Sequence, residues 1–375
     1  MDKKNTLIIG AGAAGAKLAD TILDMDSRYE CLFINSSVKD VKPRKYAKLG
    51  RNVYIIPNAD GTGKDRTKGK EYIKEQQTAL TDKLSEYELF SNIVITFSMG
   101  GGTGSSFSPL ITMIIARIFP KTKIHLVAVK PKMKSSKKIL QNAIDTWNDI
   151  TKVKDLCASI TILDNDKRET EEMINECWAK DFDDMMNLTI GDPTQVLDED
   201  DLDNLLDSRS RKDDIIRENR GLNILRLKGE YSDSIELAVE MAMRESIYVE
   251  TNLDEVVNLG ISLKGNDFNK EEVEEFFFIE NDVFEGINDT DNMIITSGTE
   301  LPKLAFELIE EEIKSREEDV RKRRQKKLEK RENLIIGSNK KVDKQEIEEV
   351  IDISKAKSSK EIENIFADGF FDDLM

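Results

Sequence analysis

The residues best suited to chemistry lie in a glycine run. Gly100, Gly101 and Gly102 are followed by Thr103, Gly104, Ser105 and Ser106, with Ser98 and Met99 just ahead. Four glycines among small hydroxyl residues make a turn with little side-chain bulk, so backbone N–H groups can close on an anion at a helix N-terminus. The pattern predicts a phosphate-binding loop in which Thr103 and Ser105 add hydroxyl donors. It lacks the Gly-Lys-Ser/Thr ending of a Walker A loop, and its glycines are clustered rather than spaced as in the dinucleotide fingerprint. A second glycine-rich turn, Gly10, Ala11, Gly12, Ala13, Ala14 and Gly15, is a weak signal alone. A third cluster, Asp198, Glu199, Asp200 and Asp201, carries carboxylates able to orient and polarise water. Taken by itself, such a run reads as a solvated turn.

These loops need elements to hold them. Apolar runs at residues 6–9, 31–35, 53–56, 93–97, 124–129 and 160–163 read as strands, and the segments between them carry helical periodicity. Leu18, Ala19, Ile22 and Leu23, for example, share one helical face. Alternating strands and helices imply a largely parallel sheet covered on both faces, whose ligands bind at the strands' carboxyl ends. Every glycine-rich or polar loop, including Asn35–Ser37, the polar stretch 58–70, Lys130–Pro131 and Asp164–Lys167, follows such an end.

An amphipathic segment at 169–188 places Ile174, Trp178, Phe182, Met185 and Met186 at helical spacing and reads as a core helix. Beyond the acidic run, region 215–298 has candidate strands at 223–227, 257–263 and 293–296 and a helix at 234–248, the pattern of a smaller α+β domain. A long helix is expected from Pro302 to about Asn333. Its second half is basic (Arg321, Lys322, Arg323, Arg324, Lys326, Lys327, Lys330, Arg331) and has no apolar face to bury. The polar remainder ends in Phe366, Phe370 and Phe371 among acids, which reads as a docking motif. The expected divisions are 1–168, 169–196, 197–299, 300–333 and 334–375.

With 375 residues, 34% of them charged, and a net charge of −17, the chain argues against nucleic-acid binding through a general basic surface. No apolar run reaches membrane-spanning length and no leader pattern is visible. Three scattered cysteines and one histidine argue against a disulfide framework or a zinc site. Together these features suggest a cytoplasmic protein without a membrane partner.

In order and content the loops resemble the tubulin/FtsZ superfamily of polymerising GTPases, and within it the TubZ-type tubulins of plasmids and phages. Gly100–Ser105 stands as that family's GGGTG signature followed by a small residue. The first loop (Gly10, Gly12, Ala13), the second (Asn35), the third (Gly61, Gly63, Lys64, Arg66) and the fifth (Pro131) fall in place around it. Asp164–Lys167 matches the Asn-Asp-Lys loop, in which Asn165 would read the guanine edge. The central helix would add Asn175 or its neighbour Glu176, with Asn175 favoured because an amide offers both donor and acceptor. The FtsZ glutamate that contacts the ribose is replaced by Ser135.

The resemblance implies a parallel-sheet GTPase domain, a central helix, a smaller α+β domain, and a long C-terminal helix and tail. It implies GTP and GDP as ligands, with Mg²⁺ held through phosphates and water. Lys64 and Arg66 are then candidates to neutralise the γ-phosphate. It also implies a head-to-tail homopolymer in which Asp198 and Asp201 act in trans on the next subunit's nucleotide. Its cargo would be plasmid or phage DNA, reached through a TubR-like DNA-binding adaptor gripped by the tail. An FtsZ-like division or phage-positioning filament is the alternative; a dinucleotide-binding oxidoreductase leaves the glycine run and the acidic loop unexplained.

Overall fold

Six β-branched and apolar runs in the first half of the chain form strands, each leading into a loop and then a helix. The computed structural model describes residues 1–189, 197–209, 219–265, 267–286 and 291–336. The order is β1 (Thr6–Ala11), α1 (Gly12–Met25), β2 (Glu30–Asn35), α2 (Val38–Val41), β3 (Val53–Ile55), α3 (Arg66–Glu75), α4 (Gln77–Ser85), β4 (Asn92–Ser98), α5 (Thr103–Ile118), β5 (Lys123–Lys130), α6 (Lys137–Val153) and β6 (Ser159–Asp164). There follow α7 (Glu171–Met186), α8 (Glu199–Leu206), β7 (Gly221–Leu227), α9 (Ile235–Glu245), β8 (Glu255–Ser262), α10 (Lys270–Phe276), β9 (Phe278–Glu285), β10 (Asn292–Thr299) and α11 (Lys303–Ile336).

The described strands make one sheet in the order β3-β2-β1-β4-β5-β6-β7-β10-β8-β9. Neighbours from β3 through β6 are parallel. All six carboxyl ends therefore point to one edge, and all six amino ends to the other. Both faces are covered: β1 and β4 are buried along almost their whole length, as near-continuous apolar strands require. The region after α8 continues this sheet. β7 joins β6 through a single register pair, Ile160 with Gly221, and β10 runs antiparallel between β7 and β8.

Helix α7 follows its predicted pattern. Ile174, Trp178, Phe182, Met185 and Met186 are all buried, and Thr170 caps its start by accepting a hydrogen bond from the Met173 N–H. Two departures have local causes. The polar stretch 58–70 was expected to be a loop throughout, but α3 begins at Arg66 because Asp65 caps it, accepting from Thr67 N and Lys68 N. β9, with the sequence FIENDVFE, carries too many acids to register as a strand; it pairs in parallel with β8 at the sheet edge, where the outward residues stay in water.

The chain divides into two compact units, Met1–Glu310 and Glu311–Met375. The first contains the sheet and the start of α11, where Phe306 stacks on Trp147 with ring centroids 4.3 Å apart. In the second, residues 317–329 of the helix are exposed and mostly charged, as a segment without an apolar face must be. Phe366, Phe370 and Phe371 lie outside the described residues.

Candidate active site

The phosphate loops meet at the carboxyl edge. β4 delivers residues 99–102 and α5 starts at Thr103; β1 delivers Ala11 and α1 starts at Gly12. Two helix N-termini thus open on the same edge, with first-turn N–H groups that have no intrahelical partner. The backbones touch where side chains are missing. A Cβ on Gly104 would lie 2.6 Å from the Ala11 carbonyl oxygen, and one on Gly12, whose φ is +70°, would lie 2.7 Å from the Gly104 nitrogen. Only glycine fits at both positions.

Hydroxyls gather around Thr103. Its Oγ1 lies 2.7 Å from Ser36 Oγ and 3.3 Å from Thr62 Oγ1, joining the second, third and glycine loops. Asn35 is fully buried; its Oδ1 accepts from Ser36 N and Ser37 N, which shapes the second loop, while its Nδ2 has no partner. Gly61 N donates to Ser36 O at 2.9 Å, tying the third loop to the second. Pro131 is buried beside Gly100, and Ala13 is exposed on the first turn of α1. Gly10 is still within β1.

The third loop separates its two cations. Lys64 is exposed, in a left-handed conformation with φ of 64°. Arg66, expected at the γ-phosphate, is turned under the loop instead. It is buried, donates from Nε to Ser105 Oγ at 3.2 Å and from Nη2 to the Ser105 carbonyl at 3.1 Å, and pairs with Asp149 at 2.5 Å. A buried guanidinium is costly to desolvate, and such a partner offsets that cost. Ser105 is likewise buried and donates inward, to Gly101 O at 2.7 Å, so its hydroxyl braces the loop from below.

Asn165 follows β6 and is buried, with an Oδ1 that has no partner. An orphaned buried acceptor carries a desolvation cost of about 1–3 kcal/mol, which a ligand donor would relieve. Asn175 is buried on α7, a helix packed along α1, whereas Glu176 is exposed. The fifth loop is fastened to this corner. Lys130 Nζ reaches Asp164 at 2.7 Å and Asp166 at 3.2 Å, and Met133 N donates to Asp166. Ser135 donates its N–H to Lys132 O, closing the turn. The glycine cradle, the paired helix N-termini and these unfilled amide atoms fit a purine nucleotide.

The acidic cluster lies elsewhere. Asp198 caps α8, its Oδ1 accepting from Asp201 N at 2.7 Å, and Leu202, Leu205 and Leu206 bury the helix's inner face. Asp203 then fastens α8 to the amino ends of two strands, accepting from Asn92 Nδ2 at 3.1 Å and pairing with Lys123 at 3.5 Å. Asn92 opens β4 and Lys123 opens β5. Asp198 and Asp201 therefore sit at the edge opposite the phosphate loops. Asp198 is exposed and Asp201 half-buried, so both face outward from their own subunit.

One row of residues escaped the sequence reading. On α6, Asn142, Thr146 and Asp149 are buried polar side chains at positions i, i+4 and i+7. Asn142 Nδ2 donates to the carbonyls of Lys64, Gly100 and Gly101, Thr146 to that of Met99, and Asp149 takes Arg66 and Lys70. The visible signal was a polar stripe at helical spacing inside an otherwise apolar face.

Clustered glycine loops and two helix N-termini at the carboxyl edge of a parallel sheet define the class of α/β nucleotide-binding proteins. The model of the Tubulin/FtsZ family GTPase domain matches residues 5–170. The tubulin-like protein TubZ of Clostridium botulinum C phage is 31% identical over 342 residues, covering 89% of this chain and 88% of the relative. The solved tail-truncated TubZ of C. botulinum phage c-st superposes with a TM-score of 0.74 at 28% identity, covering 84% of this chain and 99% of that one. A GTPγS-form protofilament of Bacillus thuringiensis serovar israelensis TubZ shares the fold, with a TM-score of 0.70 at 15% identity over 86% and 94% of the two chains. The chain belongs to the tubulin/FtsZ family of filament-forming GTPases, as a homologue of TubZ. No described helix is long and apolar enough to cross a membrane.

Proposed function

We propose that this chain hydrolyses GTP at the junction of two subunits stacked head to tail, so that turnover is coupled to assembly. The observation that carries the reading is the separation of the two half-sites, with Gly100–Gly104 at the carboxyl edge and Asp198 and Asp201 at the amino edge of one sheet. Two unit charges 4 Å apart interact by about 1 kcal/mol in water and about 4 kcal/mol at a typical protein surface, so carboxylates built beside a triphosphate would oppose its binding. Opposite edges remove that repulsion until a second subunit arrives. A head-to-tail contact that does not close produces a filament.

In this reading the first-turn N–H groups of α1 and α5 hold the phosphates, each helix end contributing about 0.3–1 kcal/mol per charge. Thr103 adds a hydroxyl and Lys64 its charge at the γ-phosphate, while Asn165 and Asn175 address the guanine edge. Asp198 and Asp201 of the next subunit orient water for in-line attack. Mg²⁺, if bound through the phosphates and water rather than by side chains of this chain, would supply charge neutralisation. Light scattering should rise on adding GTP and decay as it is consumed. A flat trace at every protein concentration up to the solubility limit would remove the assembly claim.

We further propose DNA segregation through a small DNA-binding adaptor held by the tail, with Phe366, Phe370 and Phe371 as its anchors. The net charge of −17 favours an adaptor over direct contact with DNA, and similarity to a phage TubZ supports the cargo. Deleting residues 366–375 should spare polymerisation and abolish co-sedimentation with the adaptor–DNA complex; lost polymerisation would place the tail in the filament contact.

A further inference from the structure

The third loop and the glycine loop come from different parts of the chain, yet they are locked at one point. A Cβ on Gly102 would lie 2.2 Å from Thr62 Oγ1 and 2.8 Å from Lys64 Cα, so the 62–65 loop packs directly on the Gly102 backbone through the Thr62 side chain and the Lys64 backbone. Lys64 lies in the left-handed region, which a residue with a long side chain seldom occupies. The clamp is Asn142. Its amide nitrogen donates to Lys64 O at 3.0 Å, Gly101 O at 2.9 Å and Gly100 O at 3.2 Å. The same side chain is fully buried, and its Oδ1 has no partner. It is placed there for its donors.

We infer that Asn142 is a positioning residue that makes the 62–65 loop and the glycine loop one unit and thereby sets the preference for a nucleoside triphosphate over a diphosphate. The inference rests on the proposed GTPase reading, in which the 61–66 loop faces the γ-phosphate. Its logic is differential: the glycine loop serves phosphates that both nucleotides possess, while Lys64 serves one that only the triphosphate has. A residue that ties Lys64 to the glycine loop should affect the two ligands unequally. Thr146 is the internal comparison. It lies one turn along α6, is equally buried, and donates to Met99 O at 2.9 Å, but makes no bond to the 62–65 loop.

The test is equilibrium binding of fluorescent GTPγS and GDP, with Mg²⁺, to the full chain kept below its assembly concentration. Asn142→Ala should weaken both nucleotides through the lost glycine-loop bonds, and GTPγS about tenfold more than GDP, the equivalent of the one bond to Lys64 O. Thr146→Ala should weaken both alike. Asn142→Ser, which keeps one donor, should fall between wild type and Asn142→Ala in the GTPγS/GDP ratio. Equal losses for both nucleotides, or an unchanged ratio in a folded variant, would overturn the inference, as would unfolding of both Asn142 variants, which would assign the residue to stability alone. Wild-type protein that binds no GTPγS would instead remove the GTPase reading and leave the Asn142 clamp a structural feature.

Discussion

The two edges of the sheet solve opposite problems. The carboxyl edge is built to receive charge, with backbone donors, hydroxyls sharing Thr103, and amide atoms on Asn35 and Asn165 left without partners. The amino edge is built to present charge. Its carboxylates are held from behind, Asp198 by the start of its own helix and Asp203 by Asn92 and Lys123. In the reading proposed above, neither edge is a complete active site, and the parallel sheet between them makes the chemistry depend on stacking.

The sharpest way to break this comparison is to disable one edge at a time. Asp201→Ala should leave nucleotide affinity within twofold and lower turnover by roughly 10²–10⁴, the usual contribution of a group that directs the attacking water. Phosphate release measured against GTP concentration separates the two. Mixing Asp201→Ala with a variant that cannot bind nucleotide should restore part of the turnover, because some junctions then combine two intact halves. Absence of rescue, with both variants co-assembled, would place the carboxylates in cis.

The way the amino edge is held makes stability depend on pH. His125 lies buried behind it, with Nε2 3.2 Å from Asn92 Oδ1 and Nδ1 2.8 Å from Ser159 Oγ. Burial pulls its pKa down to about 4 from the ordinary 6.5. Between those values the unfolded chain binds a proton that the folded chain does not, so stability falls as pH drops from 6.5 towards 4. The loss approaches roughly 2–3 kcal/mol at the acid end. Urea midpoints from pH 7.5 to 4.5 should show it as a difference between wild type and His125→Gln, which has no proton to gain. Parallel curves for the two proteins would mean that His125 is not held neutral.

At the carboxyl edge the expected effect is smaller but specific. Gly104→Ala places a methyl 2.6 Å from the Ala11 carbonyl and 3.2 Å from Phe97 Cβ. The backbone must shift at the point where the first loop meets the glycine loop, at a cost of about 1–3 kcal/mol. Nucleotide affinity should fall at least tenfold while α8 and its carboxylates stay in place. The variant therefore also serves as the partner in the mixing experiment.

What could be read from the sequence follows the same division. The carboxyl edge is legible because its close backbone packing requires glycine in clusters, and clusters stand out: Gly100 to Gly104 mark the loop and the strand ahead of it. The acidic run was equally visible, but its placement was not, since α8 is anchored by Asn92 and Lys123, two polar residues at strand starts that look like ordinary solvent-facing positions. Arg66 misled for a related reason. A cation in a polar stretch reads as exposed, and only Asp149, 83 residues away in the chain, turns it inward. Asn142 and Thr146 were hidden because a buried polar stripe differs from an exposed one only through what covers it. β9 was hidden because an edge strand need not alternate.

The smallest expected effect distinguishes two roles of one residue. Asp198 is both the cap of α8 and a candidate to direct water, and alanine would confound them, since losing the cap alone costs about 0.5–2 kcal/mol. Asparagine caps a helix about as well as aspartate, so Asp198→Asn should change stability by only a few tenths of a kcal/mol. Its amide keeps an acceptor for Asp201 N but no longer carries charge. If the charge works on the next subunit's water, turnover drops while the melting temperature, the GTP affinity and the assembly threshold hold. If turnover holds as well, Asp198 serves the helix alone and the chemistry of that edge rests on Asp201.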